Sequence, residues 1–138
     1  MIGALHFYTH VLVALGLTPL LNRLCAFEES GCTILGNAEF MTHGGSVKDR
    51  AALAIIEDAL AKGQIERGGT VVAGTAGNTG IGLAMVADAL GLKTRIVIPA
   101  PHTPLNKDTL ALLGAPFAEV PGGPDRTRTD SVLIPGPP

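Results

Sequence analysis

Lys48 stands in the stretch GGSVKDRAAL, at a place where helix physics disfavours a cation. Ser46 has the side chain of an N-cap, and Asp49 completes a Ser-x-x-Asp pattern akin to a capping box, so a helix is expected from about Val47. Lys48 then falls in the first turn, beside the positive end of the helix dipole. On a helical wheel Ala52, Ile55 and Ala59 lie within about 40° of Lys48, while Leu53, Ile56 and Leu60 widen the apolar arc. Arg50, Glu57 and Asp58 fall on the far side. The expectation is a lysine on the core-facing side of the helix entrance, where desolvation and the dipole both favour the neutral amine. That is the form Schiff-base chemistry uses. A lysine that only lays its stem along the core edge, with its ammonium in water, satisfies the same pattern.

The second stretch is GTAGNTGIG, Gly74 to Gly82. Four glycines and two threonines at a helix N-terminus make a cluster of backbone N–H groups suited to an anion. Its spacing is not G-x-G-x-x-G, so the dinucleotide fingerprint fails, and no Gly-Lys-Ser/Thr follows, so it is no P-loop. A tight turn needing positive φ would also use glycine. Asn78 and Thr79, set among the glycines, add directed side-chain hydrogen bonds and favour a ligand, because a bare turn needs fewer polar groups.

The elements that must position these residues are legible from pattern. TPLLNRL and TILGNAEF read as short strands around a polar break at Glu28 to Gly31. Ser46 to Lys62 reads as a helix stopped by Gly63. TVVAG is a brief apolar strand, followed by a helix from about Thr79 to Leu90 that Gly91 ends. TRIVIP, LNKDTLALLG and APFAEV continue as strand, helix and strand. This alternation predicts an α/β fold: a parallel sheet with flanking helices and right-handed crossovers. The strands read as continuous apolar runs, which predicts cover on both faces. The helix TGIGLAMVADAL carries one charge, Asp88, and is expected to be buried nearly all round. The crevice rule places a ligand at the carboxyl ends of the strands, where the Gly74 to Gly82 loop falls.

Composition narrows the function classes. The chain has 138 residues, 46% hydrophobic and 16% charged, with 18 Gly and 10 Pro, which suits a globular domain with many tight turns. A formal net charge of −2 and 4% aromatics without Trp argue against nucleic acid as a partner. Cys25 and Cys32, seven apart, match neither a redox pair nor a zinc knuckle, so no metal is expected and both read as buried, reduced thiols of a cytoplasmic protein. Residues 1–17 have no Lys or Arg and their apolar run is short, so neither a secretory signal nor a membrane span is expected; a mitochondrial presequence would want several arginines, and a mitochondrial location stays the alternative to a cytoplasmic one. They read as a divergent leader. After Val120, five prolines and three glycines in eighteen residues show no period, and 121–138 reads as an irregular tail.

Together, GGSVKDRAAL and GTVVAGTAGNTGIGLA resemble the fold-type II pyridoxal-phosphate enzymes, in particular the cysteine synthase and cystathionine β-synthase branch. TPLLNRL and GCTILGNAEF look like that family's opening GNTPL motif and the strand before its lysine. The resemblance covers about Thr18 to Val120. It implies that Lys48 forms the Schiff-base link to pyridoxal 5′-phosphate and later moves the Cα proton. It implies that Asn78 hydrogen-bonds the cofactor's phenolic oxygen and that Thr75, Ala76, Gly77, Asn78 and Thr79 clamp the substrate carboxylate. The implied chemistry is β-replacement on an O-activated serine, with sulfide giving cysteine, in a protein that is a homodimer at full length. Cystathionine β-synthase-like or serine dehydratase-like chemistry are the neighbouring possibilities.

Some positions depart from the family pattern. Leu17 stands where the family usually has Asn, Thr42-His43 replaces the usual Asn-Pro before Gly44, and Ala76 replaces a common serine. Proline would rigidify the approach to Lys48, and histidine does not. The family's phosphate-binding Gly-rich loop and its Ser or Thr at the pyridine nitrogen are both expected downstream of residue 138. The chain therefore reads as an N-terminal portion of such an enzyme, unable to catalyse alone. Two other classes remain: a non-catalytic product that associates with a partner through an exposed apolar face, and an unrelated small-anion binding domain using only the Gly74 to Gly82 loop.

Overall fold

The computed structural model describes residues 12, 15, 17–22, 28, 30–75, 77–100, 104–121 and 131–133. Two short strands, β1 (Leu20–Asn22) and β2 (Leu35–Asn37), pair antiparallel as a separate ribbon. A 3-10 turn at Glu39–Met41 leads from the ribbon toward helix α1 (Lys48–Ala61). Strand β3 (Thr70–Gly74), helix α2 (Asn78–Ala89), strand β4 (Lys93–Pro99), helix α3 (Pro104–Leu112) and strand β5 (Phe117–Val120) follow. The final described element is β6 (Ser131–Leu133).

The main sheet has the order β5-β4-β3-β6. β3, β4 and β5 are parallel, with Thr70 opposite Lys93 and Ile96 opposite Phe117. Each step moves the same way across the sheet, so right-handed crossovers put α2 and α3 on one face. α1 packs outside them, against α2. Both helix stops predicted from glycine hold. Gly63 has φ 67° and Gly91 φ 70°, and the turns close through Gln64 N–H to the Ala59 carbonyl at 2.9 Å and Leu92 N–H to the Ala87 carbonyl at 2.8 Å.

The core lies between the sheet and α1. Ala52, Ile56 and Ala59 of α1 meet the all-round buried run Gly80 to Ala87 of α2, which in turn covers Val71, Ala73, Ile96 and Ile98. Leu15, placed by sequence in the leader, is 1% exposed and belongs to this core.

Three expectations are corrected here. β4 is not apolar on both faces: Thr94, Ile96 and Ile98 are buried while Lys93 and Arg95 are exposed, because among the described residues helices cover one side only. The segment after Val120 is not wholly irregular, since Ser131–Leu133 pairs antiparallel with Val72–Gly74 as an edge strand, a place where a proline-flanked segment can pair. Cys32 is exposed rather than buried, in the polar break where its N–H meets Ser30 Oγ at 3.2 Å; Cys25 lies outside the described residues. Among the described residues no helix is long and apolar enough to cross a membrane, and no cluster of His, Cys, Asp or Glu could hold a metal ion.

Candidate active site

Lys48 opens α1, one residue later than the cap pattern suggests. Val47 holds the cap position in helical conformation, while Ser46 Oγ accepts the Lys48 N–H at 3.2 Å. Asp49 does not reach back to Ser46 as a capping box would. Its Oδ2 accepts the Gly44 N–H at 2.8 Å instead. The buried face of α1 is Asp49, Ala52, Ile56 and Ala59. At about 100° per residue the centre of that arc lies roughly 60° from Lys48, toward Asp49. Lys48 therefore sits at the rim of the arc and is exposed, not on its core-facing side. Burial does not desolvate its amine; among the described residues that amine makes no ion pair or hydrogen bond.

Arg50 is also displaced from the wheel's expectation. It is half-buried, donates to Thr18 Oγ1 at 2.8 Å, and forms an ion pair with Glu39, tying α1 to the segment before it. The loop ahead of Lys48 lacks the family's proline but is braced by other means. Thr42 Oγ1 accepts the Ser46 N–H at 3.1 Å and donates to the Glu39 carbonyl at 2.9 Å. His43 is exposed.

The Gly74 to Gly82 stretch divides differently from its reading as one glycine nest. Gly74 ends β3, and α2 already starts at Asn78, so Gly80 and Gly82 are inside the helix. None of the four glycines has positive φ, which removes the tight-turn explanation for them. For Gly80 and Gly82 the use is close approach. A Cβ on Gly80 would stand 3.0 Å from Thr75 Cγ2 and 3.2 Å from Ile96 Cγ2. A Cβ on Gly82 would stand 3.0 Å from the Lys48 carbonyl oxygen and 3.3 Å from Ala52 Cβ. Gly82 is one turn beyond Asn78, so this contact brings the first turn of α1, which carries Lys48, against the first turns of α2.

The start of α2 is open. Gly77, extended at φ −131°, is its cap residue and supplies no side-chain hydrogen bond; space around a Cβ there is empty within 4 Å. A helix start without a side-chain cap leaves N–H groups for an anion. Thr75 is buried beside it, Thr79 is half-buried, and Asn78 is exposed. Ala76 lies outside the described residues. Sequence reasoning missed Asp49 and Thr42; a buried acid next to an exposed lysine carries no periodic signal, although the neighbouring Gly44 was a clue to close approach.

These two motifs match a known family. A family profile described as "Pyridoxal-phosphate dependent enzyme" matches residues 11–132. The chain belongs to the pyridoxal-phosphate-dependent enzyme family. It is 56% identical over 110 residues to cysteine synthase 1 of Neurospora crassa, covering 78% of this chain and 29% of that protein. It is 43% identical over 113 residues to cystathionine beta-synthase of Apis mellifera, covering 80% of this chain and 22% of the other. The crystal structure of O-ureido-L-serine synthase superposes with a TM-score of 0.78 at 34% identity, over 85% of this chain and 37% of that one. The O-acetylserine dependent cystathionine beta-synthase from Helicobacter pylori gives 0.74 at 31% identity, over 85% and 39%. The chain thus spans less than a third of the length of these curated relatives.

The residues present fit one end of the family's cofactor: a free lysine amine, an asparagine at the adjoining helix start, and open amides behind it. A cavity of about 600 Å³ lies elsewhere, at the amino ends of the strands, lined by Asp88, Lys93, Arg95 and Phe117 among others. Lys48 and Asn78 are not part of it, and the crevice rule assigns ligands to the carboxyl ends.

Proposed function

We propose that residues 18–120 form the lysine-bearing part of a cysteine synthase-like site for β-replacement, taking O-acetylserine and sulfide to cysteine. Lys48 would hold pyridoxal phosphate through Nζ, Asn78 would donate to its phenolic oxygen, and the Thr75 to Thr79 segment would bind the substrate carboxylate. Bound cofactor supplies an electron sink for the carbanion at Cα. Once the substrate amine has displaced it from the cofactor, Lys48 Nζ would take the Cα proton and later return it, while the Cβ–O bond breaks with loss of acetate and a Cβ–S bond forms with sulfide. The observation that carries this reading is the seating of Gly82 on the Lys48 carbonyl, which joins the two motifs across α1 and α2. The Neurospora crassa relative, 56% identical, supports sulfide as nucleophile; the cystathionine beta-synthase relatives support the homocysteine alternative. Exposed Cys32 fits a reducing, cytosol-like compartment.

The test is borohydride reduction of the chain mixed with pyridoxal phosphate, with the modified peptide mapped by mass spectrometry. The expected product is labelled at Lys48 in preference to Lys62, Lys93 and Lys107, and Lys48→Ala loses it. Even labelling of all four would remove the proposal.

A second reading, association with a partner chain, is favoured by the exposed apolar residues Leu17, Leu20, Leu35, Phe40, Met41 and Val47 around the ribbon and the start of α1. Such a cluster is covered in most stable assemblies. A homodimer or a full-length family member would be the partner.

A further inference from the structure

Asp49 is 0% exposed and follows Lys48 directly. Burying a carboxylate is costly unless its oxygens are satisfied. Here Oδ2 has the Gly44 N–H at 2.8 Å, and Oδ1 is buried with no partner. The N-terminal dipole of α1 offsets part of that cost but supplies no second hydrogen bond. The seat is also sterically exclusive. A Cβ on Gly44 would come 2.2 Å from Oδ1 and 2.9 Å from Oδ2, so only glycine admits the carboxylate. Folding alone does not call for a half-satisfied acid at this point, since an apolar residue of similar volume packs there without the desolvation cost.

What the arrangement does is fix orientation. With Asp49 held inward, Lys48 is turned about 100° around the helix, outward to the rim. The loop Gly44 to Ser46 is drawn onto Asp49, and Ser46 Oγ in turn accepts the Lys48 N–H at 3.2 Å. On the other side Gly82 closes on the Lys48 carbonyl. Lys48 is thereby gripped through its own backbone while its amine is left free.

We infer that Asp49 is a positioning residue for Lys48: its buried carboxylate, seated on Gly44, sets the direction of the lysine that reacts with an aldehyde cofactor. This rests on the reading of Lys48 as the cofactor-bearing residue.

The test uses the whole chain and four variants: Asp49→Ala, Asp49→Asn, Gly44→Ala and the double variant Gly44→Ala with Asp49→Ala. One readout needs no cofactor: amide hydrogen exchange at Ser46 and Lys48, with Ile56 and Leu60 as reporters of the helix body. The other is the yield of pyridoxal phosphate trapped at Lys48 relative to Lys62, taken across pH. Loss of one backbone-to-carboxylate hydrogen bond should speed exchange at Ser46 and Lys48 by about tenfold or more, and lower Lys48 selectivity comparably, in Asp49→Ala and Gly44→Ala. Asp49→Asn, which keeps an oxygen for the Gly44 N–H, should recover most of the selectivity. The double variant should be no worse than the poorer single one, because removing the acid makes room for the new Cβ. Unchanged exchange and selectivity in Asp49→Ala would overturn the inference. So would exchange that rises equally at Ile56 and Leu60, since Asp49 would then serve folding only. Even labelling of all lysines in the parent chain would instead overturn the proposed function, and the exchange data would still decide for or against the grip of Asp49 on the loop.

Discussion

Replacing Gly82 by alanine sets two physical terms against each other, and the structure fixes which wins. In a helix free of neighbours the change would stabilise by about 0.8–1 kcal/mol, because glycine loses more backbone entropy than alanine. Here the new Cβ would lie 3.0 Å from the Lys48 carbonyl oxygen, 3.1 Å from its carbon and 3.3 Å from Ala52 Cβ. Two of these three neighbours are backbone atoms in the first turn of α1, which cannot rotate aside as a side-chain end does. α1 must move away as a unit, by a few tenths of an ångström, from a core that is close-packed. Overpacking of this kind costs about 1–3 kcal/mol. The difference leaves Gly82→Ala about 0–2 kcal/mol less stable, near 1 kcal/mol and roughly 4 °C in Tm at the centre of the range. Urea or thermal unfolding followed by circular dichroism reads the stability, and trapping of pyridoxal phosphate at Lys48 reads the accompanying shift of the lysine. A variant stabilised by about 1 kcal/mol with trapping unchanged would refute the close approach, because propensity alone would then be acting.

Three further outcomes follow from named contacts. Ile56→Ala, at a 0% exposed position of α1, should cost about 2–5 kcal/mol in urea unfolding with an unchanged m-value. Arg50→Ala should cost about 1 kcal/mol, since the pair with Glu39 is partly solvated, and should raise hydrogen exchange at Glu39–Met41 while leaving the body of α1 protected. Phe40→Ser with Met41→Ser should lower both the binding of a hydrophobic dye and any self-association in sedimentation velocity, because Phe40 is 70% exposed and Met41 61%.

Elements with a strong local signal were readable in advance. The β3-α2-β4-α3-β5 order, the glycine stops at Gly63 and Gly91, and the all-round burial of α2 follow from periodicity and turn chemistry acting within a few residues. The close approach of Gly82 in α2 to the first turn of α1 carries no local signal and is visible only as a helix–helix contact. What failed to show in the sequence depends on relations between distant segments. Lys48 lies at the rim of its arc because Asp49 turns inward onto Gly44, and a wheel drawn by polarity assigns an acid to the wet side. Arg50 is half-buried because Thr18 and Glu39 come to meet it. The alternation along β4 records that, among the described residues, helices lie on one face only, which the apolar residues of TRIVIP do not reveal by themselves. β6 escaped notice because an edge strand of three residues needs no period of its own, only a neighbour with free backbone groups.

That last pairing has a consequence in time. β3 meets β4 within about twenty residues of chain, but its other edge waits for β6, about sixty residues further on. A ribosome adding roughly 5–20 residues per second needs on the order of 3–12 s to deliver them. Throughout that interval Val72, Ala73 and Gly74 offer unpaired backbone groups on the edge that β6 later takes, in a strand of high β-propensity. The growing chain is therefore most open to wrong strand pairing after α2 and α3 have docked and before β6 arrives. Agents that shorten or lengthen this delay should change the yield of soluble chain without altering the stability of the product.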